Sequence, residues 1–318
     1  MGVMPYNSVA ALALYNRPQT VMFYETLRVA GGSTLVHPDT QPPDESVPVY
    51  ETAILEEGKI AYLAVNRMIH LWDDPRPRRT IGQYEAMLHD FHGQIEGYDH
   101  LIIDLRGNSG GQNIHFFVFV VGPLLHEAIF FPVYVFYKDG EYSRSARENY
   151  DWRIFGSTHP FTQDAASFDG SLPYLDPEIT LPYAFYSAHM ISSSYDYSGW
   201  YDSIRAEVLF DGTIWMLVDE HTASAAEASA AMLKLNNLAT IVGEATFGIL
   251  GTLEDSTNAL VSLPNTGIIV RMDIAYFTDT YGRPLQGYGI TPHYFNRPGM
   301  DALETVLAMI AETDEGGS

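Results

Sequence analysis

Short, mostly apolar runs recur along the chain from residue 60 onward, and each has the length of a buried β-strand. Between several of them, apolar residues follow the spacing of an amphipathic helix. Alternation of strands with helices indicates an α/β fold built on a largely parallel sheet. The predicted strands are Ile60–Val65, Leu101–Leu105, Val133–Tyr137, Ile214–Val218, Ile241–Gly243, Ala259–Leu263 and Ile268–Met272.

Four segments have helical spacing: Thr80–Gln94, Gln112–Leu125, Ala225–Leu235 and Met300–Ala311. The second contains Pro123, which is expected to end or kink it because proline has no N–H to donate and its ring clashes with the preceding turn. We assign the α/β core to residues 49–138 and 207–318.

Two segments lack this regular pattern. Residues 1–48 end in the proline-rich stretch Thr40–Pro48, which is typical of a linker, and they are too short for an independent domain. Residues 139–206 carry many Tyr, Ser, Asp and Pro residues, and we interpret them as an insertion. Long loops of this kind tend to be lids or binding surfaces, so we expect a cap over a cleft. An ordinary packed subdomain is the alternative.

Composition excludes several classes of chemistry. The 318 residues contain no cysteine, which removes disulfides, thiolate catalysis and cysteine-ligated zinc. A formal net charge of −23 opposes binding to nucleic acid or anionic lipid, since both need a cationic surface. No run of apolar residues is long enough to span a membrane, and the N-terminal residues lack the basic region of a secretory signal. We expect a soluble protein, either cytoplasmic or secreted with its signal removed, that does not bind nucleic acid.

The first candidate motif is LIIDLRGNSGG at residues 101–111, in which an apolar strand runs into a glycine-rich turn. Glycines allow positive φ and let main-chain N–H groups approach a ligand closely. Alone the motif is weak, because such turns also serve phosphate binding or packing. It lacks the Gly-x-Gly-x-x-Gly spacing and a phosphate-loop lysine, which disfavours a nucleotide site. We predict no cofactor.

The second candidate motif is IWMLVDEHTASAAEASAAMLKL at residues 214–235, which comprises an apolar strand, a polar turn and an alanine-rich helix. Ser224 stands at the strand-to-helix junction, where a developing anion would meet the free N–H groups of the helix N-terminus. This is the geometry of a nucleophile elbow. The alternative is that Thr222 or Ser224 only caps the helix, with Glu227 completing a capping box.

Together with two later segments, these motifs resemble the signature blocks of the S41 serine peptidases, which include the tail-specific (C-terminal processing) proteases. The resemblance implies a crotonase-like (ClpP/crotonase) α/β fold with Ser224 as the nucleophile. It also implies an oxyanion hole made by the N–H groups of Gly110 or Gly111 and of Ala225. The four blocks, in the family's order, are DLRGNSGG at 104–111, TASAAE at 222–227, VGEATFG at 242–248 and GYGITP at 287–292.

The chain departs from the family at both standard positions of the general base. The tail-specific branch has a lysine after the Thr-Phe-Gly of the third block, and that position is Ile249 here. A second branch, resembling tricorn core and chlamydial proteases, uses a histidine with a glutamate, and the glutamate position is Gln286. The strand Ala61–Val65 offers no matching histidine. The family's peptide-binding PDZ domain is represented at most by a remnant in Val21–His37.

Three histidines are candidates for a replacement base. They are His221 near the elbow, His115 just beyond the glycine turn and His293 near Gln286. An imidazole titrates near neutral pH and is therefore a suitable proton acceptor. For each histidine the alternative is an ordinary surface or core role.

We therefore predict a serine hydrolase that acts on a peptide or another small carbonyl substrate, with Ser224 as nucleophile and a non-standard base. Two alternatives stay open. One is a non-catalytic protein that binds a hydrophobic or peptide ligand on the same fold, and the other is an enzyme repurposed for another carbonyl substrate. No metal is expected, since no two histidines have the spacing of a helical zinc motif with a glutamate between them.

Overall fold

The computed structural model describes residues 3–5, 18, 47–69, 78–125, 133–138, 140, 162–164, 172–175, 183–189, 210–249, 258–263, 265–266, 268–273, 275–279 and 281–316. The chain forms two compact units. Unit 1 comprises Met1–Ser46, Val133–His189 and Gly251–Pro284, and unit 2 comprises Val47–Pro132, Met190–Leu250 and Leu285–Ser318.

The strands in chain order are β1 (Val3–Pro5), β2 (Tyr50–Glu56), β3 (Ile60–Val65), β4 (His100–Asp104), β5 (Val133–Lys138), β6 (Thr162–Asp164), β7 (Tyr183–His189), β8 (Thr213–Val218), β9 (Thr240–Gly243), β10 (Asn258–Ser262), β11 (Ile269–Asp273), β12 (Ala275–Thr278) and β13 (Tyr294–Phe295). The α-helices are α1 (Arg78–Gln94), α2 (Ile114–Phe116), α3 (Ala225–Leu235) and α4 (Ala302–Gly316).

A six-stranded sheet in the order β13-β9-β8-β4-β3-β2 is the scaffold of unit 2. The strands from β13 to β3 run parallel, and β2 pairs antiparallel with β3. Strands β3, β4, β8 and β9 are buried along nearly their whole length, as expected where a parallel sheet is covered on both faces. The predicted α/β fold with a largely parallel sheet is confirmed.

This sheet brings the two sequence motifs together. Strands β4 and β8 are adjacent and parallel, with Asp104 opposite Leu217 near their C-terminal ends. The glycine-rich turn follows β4, and the turn that carries Ser224 follows β8. Because parallel neighbours end at the same edge of a sheet, both turns lie at one edge, which is where α/β folds place ligand sites.

Helix α4 packs on the sheet through residues spaced four apart. Ala302, Val306 and Ile310 are buried together with apolar side chains from β3, β4, β8 and β9. The helix begins with a reciprocal capping box, in which the Glu304 N–H donates to Asp301 Oδ1 at 2.8 Å and the Asp301 N–H donates to Glu304 Oε2 at 2.8 Å. Burial of one apolar face explains why this segment is a helix.

The helix predicted for Gln112–Leu125 is much shorter than expected. Only Ile114–Phe116 is α-helical, and a π-helical segment at Phe117–Val121 and a 3₁₀ segment at Gly122–Leu124 follow. Pro123 explains the end of regular structure, because it has no N–H to donate to the preceding turn. The effect of Pro123 was predicted correctly, and the extent of the helix was wrong.

Unit 1 contains two antiparallel sheets in its described part. One has the order β1-β10-β11 and the other the order β12-β5-β7-β6. The sequence pattern places β5, β10 and β11 in the α/β core, whereas in the structure these strands group with β7 in unit 1. The domain limits drawn from the sequence stay a prediction.

Most predicted elements are confirmed, including β3 and α3 with the predicted bounds. Strands β1, β2, β6, β7, β12 and β13 were not predicted. The proposed PDZ remnant at Val21–His37 and most of the insertion at 139–206 lie outside the described residues. Of the helices that the structure describes, none is long and apolar enough to cross a membrane.

Candidate active site

Ser224 occupies an unusual backbone conformation between β8 and α3. Its φ of 53° and ψ of −120° place it in a region that L-residues rarely adopt. Such a conformation costs about 1–3 kcal/mol and persists only where the surroundings impose it. The Ser224 side chain makes no capping hydrogen bond to the helix that begins at Ala225. The strand–turn–helix predicted around Ser224 is therefore present, with a strained serine at its corner.

The glycine-rich turn packs directly against this corner. A Cβ atom at Gly110 would lie 2.7 Å from Ser224 Cβ and 2.9 Å from the main-chain nitrogen of Ala225. A Cβ atom at Gly111 would lie 2.5 Å from the carbonyl oxygen of Met68. Both glycines also have positive φ, 100° and 132°. A larger residue at Gly110 would push the two turns apart, and a larger residue at Gly111 would push the glycine turn away from Met68.

Asn108 fastens the glycine turn to its surroundings. Its side chain is fully buried, its Nδ2 donates to the carbonyl of Val65 at 2.7 Å, and its Oδ1 accepts from the Gly110 N–H at 2.9 Å. Its own carbonyl accepts from the Ala223 N–H at 3.0 Å. One residue thus connects the end of β3, the glycine turn and the residue before Ser224.

Asp219 makes a second connection between the two turns. Its carboxylate accepts from the main-chain N–H of Gly107 at 3.0 Å, and within its own turn from the N–H groups of His221 at 3.0 Å and Thr222 at 2.9 Å. The Thr222 hydroxyl lies 3.0 Å from both the Leu105 carbonyl and Asp219 Oδ1. These bonds span both motifs and hold the corner in place.

The main-chain N–H groups around Ser224 differ in whether they already donate a hydrogen bond within the protein. The Gly110 N–H is taken by Asn108. Within the described residues, the N–H groups of Gly111 and Ala225 have no hydrogen-bond acceptor. Ala225 is the first residue of α3, so its N–H adds to the positive end of the helix dipole. Gly111 and Ala225 are thus the N–H groups that a bound oxyanion would find unoccupied.

Glu227 does not complete a capping box, and the capping interpretation of Thr222, Ser224 and Glu227 is wrong. The Glu227 carboxylate is fully buried and accepts hydrogen bonds from the Thr246 hydroxyl, from the Gly248 N–H at 2.9 Å and from the Ile249 N–H at 3.0 Å. The carboxylate therefore anchors the segment after β9 to α3, which begins at Ala225. Burial raises the pKa of the Glu227 carboxyl, and these hydrogen bonds oppose that rise.

The segment after β9 lies along the segment at 286–290. Ile249 and Gln286 form an isolated antiparallel bridge, and the Gly287 N–H donates to the Gly248 carbonyl at 2.7 Å. The Phe247 N–H donates to the Thr222 carbonyl at 3.0 Å. The third and fourth sequence blocks are thus joined to each other and to the Ser224 turn.

The structure places the three candidate histidines in different settings. His221 is 68% exposed, with Nε2 3.7 Å from Glu220 Oε1. His115 is fully buried, and its Nδ1 lies 2.7 Å from the Tyr50 hydroxyl. His293 Nδ1 accepts from the Ile241 N–H at 2.9 Å, and burial lowers its pKa.

Within the described residues, the Ser224 hydroxyl has no hydrogen-bond partner, so none of these histidines is bonded to it. Nor do those residues include a cluster of three or more His, Asp or Glu side chains arranged to hold a metal ion. The identity of the base stays a prediction.

The roles of Asn108, Asp219 and Thr246 were not predicted from the sequence. Asn108 and Asp219 each stand in a turn beside a strand end, where side-chain oxygens often bond to nearby main-chain N–H groups. That signal was available, but the partners across the two turns depend on strand order. Thr246 contacts Glu227 over 19 positions of sequence, and no local pattern predicts such a pair.

Comparison with known proteins identifies the fold. Residues 59–295, more than half of the chain, match the model of peptidase family S41. No curated protein sequence matches the chain.

The chain is similar to a lipoprotein from Streptococcus agalactiae, with a TM-score of 0.53, 15% identity and coverage of 97% of this chain and 91% of that one. It is also similar to a predicted peptidase from Parabacteroides merdae ATCC 43184, with a TM-score of 0.52, 16% identity and coverage of 92% and 73%. At such identities the likeness concerns the fold. The predicted crotonase-like α/β fold is confirmed.

Proposed function

Because the chain belongs to peptidase family S41, we propose that it is a serine hydrolase acting on peptides, with Ser224 as its nucleophile. The observation that carries the proposal is the Ser224 backbone. A strained serine at a helix N-terminus, whose hydroxyl caps nothing, has no structural reason to be a serine. A role in attacking a carbonyl group would explain the serine, since a strand-to-helix corner of this kind presents the hydroxyl to a substrate.

In the proposed reaction, Ser224 Oγ attacks the carbonyl carbon of the substrate while a base removes the hydroxyl proton. The carbonyl oxygen becomes an oxyanion, which accepts hydrogen bonds from the N–H groups of Ala225 and Gly111. The tetrahedral intermediate then expels the amine, which takes up the proton. Water attacks the resulting acyl-enzyme ester, releases the carboxylic acid and restores Ser224. Donors that are already oriented need no reorganisation as charge develops.

The hydrogen bonds of Asn108 and Asp219 support this assignment of the oxyanion donors. Asn108 occupies the Gly110 N–H and leaves the Gly111 N–H, so Gly111 is favoured over Gly110. Asp219 fixes the Ser224 turn to the glycine turn through Gly107. Two donors on separate turns act together only if the turns keep a fixed separation, and these bonds supply that constraint.

The proposal is tested by measuring turnover of a panel of peptide and ester substrates. The wild type is expected to hydrolyse members of the panel, and Ser224→Ala is expected to lose at least about 100-fold in rate. Ser229→Ala is the matched control, because Ser229 lies on the same helix and, among the described residues, its hydroxyl bonds to the Ala225 carbonyl alone, at 2.7 Å. An equal loss in both variants, or an active Ser224→Ala, contradicts the proposal.

A histidine is the proposed base, and all eleven histidines of the chain are substituted singly by alanine to find it. The variant that lacks the base is expected to acylate at least about 100-fold more slowly while remaining folded. Wild-type rates in all eleven variants exclude a histidine.

One observation favours a second function, that of a binding protein for hydrophobic or peptide ligands. Ile249 and Gln286, which stand where related peptidases carry a base or its glutamate partner, pair with each other and offer no proton acceptor of that strength. A wild-type protein that binds peptides from the panel but never acylates has this second function.

A further inference from the structure

Three large apolar side chains near the Ser224 turn are exposed to solvent. Phe247 is 60% exposed, Ile249 41% and Tyr288 73%. The segments that carry them are hydrogen-bonded to each other through Gly248 and Gly287. Clustered exposed apolar groups mark a binding surface more often than single ones do.

The main chain beneath these side chains is fixed to the Ser224 turn. The Phe247 N–H donates to the carbonyl of Thr222, two residues before Ser224, at 3.0 Å, and the Ile249 N–H donates to Glu227 Oε2 at 3.0 Å. Gly248 is so closely packed that a Cβ atom there would lie 3.1 Å from the Tyr288 nitrogen. The main chain that carries the apolar side chains is therefore fixed beside the serine turn.

We propose that Phe247, Ile249 and Tyr288 form an apolar subsite that binds a bulky hydrophobic side chain of the peptide, next to the carbonyl group that Ser224 attacks. The subsite rests on the proposed function, because its occupant is part of the same substrate. The position of the subsite follows from the hydrogen bond that the Phe247 main chain makes to the serine turn.

The chemistry of the surface selects the occupant. Each methylene group buried against it favours binding by roughly fourfold, whereas a polar group buried there without a partner is disfavoured. Asp219, Glu220 and Glu244 lie on the turns after β8 and β9, so the charge near the subsite opposes an anionic side chain. Ile249 offers the occupant an aliphatic contact, whereas the lysine that tail-specific proteases carry at this position would place a cation there.

The test uses three aminoalkylphosphonate diphenyl esters that share one reactive group and differ in a benzyl, methyl or carboxymethyl side chain. The second-order rate of inactivation of the wild type is expected to be at least about tenfold greater for benzyl than for methyl, and lowest for carboxymethyl. Phe247→Ser and Tyr288→Ser are expected to lower the benzyl-to-methyl ratio towards one. Phe295→Ser is the matched control, because Phe295 is also 60% exposed but lies on β13, and it is expected to keep the wild-type ratio.

A binding measurement separates failure of the subsite from failure of the proposed function. Fluorescence anisotropy compares two labelled peptides, one with phenylalanine and one with alanine at the same position, on Ser224→Ala. The subsite is overturned, and the hydrolase function is retained, if the wild type is inactivated without a preference for the benzyl ester. The same holds if Phe295→Ser lowers the benzyl-to-methyl ratio as much as Phe247→Ser does. The opposite result is also informative. If the wild type is not inactivated, but the phenylalanine peptide binds more tightly than the alanine peptide and Phe247→Ser abolishes this difference, the subsite is supported and the hydrolase function is overturned.

Discussion

Asn108 Oδ1 accepts a hydrogen bond from the Gly110 N–H at 2.9 Å, so that this N–H of the glycine turn beside Ser224 is already occupied. The same side chain donates to the Val65 carbonyl at 2.7 Å from a fully buried position. The orientation of the turn beside Ser224 therefore depends on one side-chain amide, whose nitrogen donates to β3 and whose oxygen accepts from the turn.

Asn108→Ala is expected to slow acylation of Ser224 at least about tenfold, because the glycine turn loses the bond that orients it. It also leaves the buried Val65 carbonyl and the partly buried Gly110 N–H unpaired, which lowers the free energy of unfolding by about 2–3 kcal/mol. Asn108→Asp keeps the acceptor for Gly110 and loses the donor to Val65, so its acylation is expected to be faster than that of Asn108→Ala. Stopped-flow acylation and urea denaturation measure both effects. If Asn108→Ala is less stable but is acylated at the wild-type rate, Asn108 stabilises the fold and does not orient the turn for acylation.

Glu227→Gln tests the anchor between α3 and the segment after β9. The amide nitrogen of glutamine would face a main-chain N–H, so the free energy of unfolding is expected to fall by about 1–3 kcal/mol. Because burial raises the pKa of Glu227, its stabilising contribution is fully present below about pH 4.5 and is lost as the pH rises through the raised pKa. The difference between wild type and variant should therefore shrink from pH 4.5 towards neutral pH. A difference that grows over this range, measured by chemical denaturation, would mean that the hydrogen bonds outweigh burial.

His92 is expected to make the protein sensitive to acid. It is buried on α1, its Nε2 lies 3.1 Å from the Phe119 carbonyl, and burial lowers its pKa to about 4. A group with a lowered pKa contributes stability above its ordinary value of about 6.5 and loses it as the pH falls towards 4. The loss over this range is expected to be about 3 kcal/mol in the wild type.

His92→Gln supplies the control, because glutamine retains a donor for the Phe119 carbonyl and does not titrate. Its free energy of unfolding should fall less steeply between pH 6.5 and 4 than that of the wild type. Equal slopes in the two proteins would show that another group causes the acid sensitivity.

The sequence predicted the sheet and the two turns well because these depend on local pattern. The run Ile60–Val65 and the alanine-rich helix Ala225–Leu235 have the predicted bounds, since each carries a strong periodic signal. Strand β2 was missed because most of its residues are exposed, as is typical of an edge strand.

The contacts that hold the candidate site could not be predicted in the same way. Glu227 forms a capping-box pattern with Ser224 in sequence, but the strained conformation of the serine leaves the carboxylate to bind Thr246 instead. Whether the pattern or the distant partner prevails depends on tertiary packing, which residues 222–227 alone do not encode.

Ile249→Lys tests whether position 249 is placed to serve as a base. The Ile249 N–H is bonded to Glu227, so the side chain at this position starts from a fixed point beside the Ser224 helix. A lysine there is expected to raise the acylation rate at least about tenfold above pH 8, where a growing fraction of its amine is neutral. Ile249→Met is the apolar control and should not show this rise. A lysine variant no faster than the methionine variant would exclude position 249 as a site for the base.

The identity of the nucleophile is measured most directly by mapping the covalent adduct of a fluorophosphonate probe. The folded wild-type protein is treated with the probe, digested and sequenced by tandem mass spectrometry. We expect one phosphonylated residue, Ser224, and no adduct in a folded Ser224→Ala variant. An adduct on any other residue, or a folded wild type that carries none, would contradict this assignment.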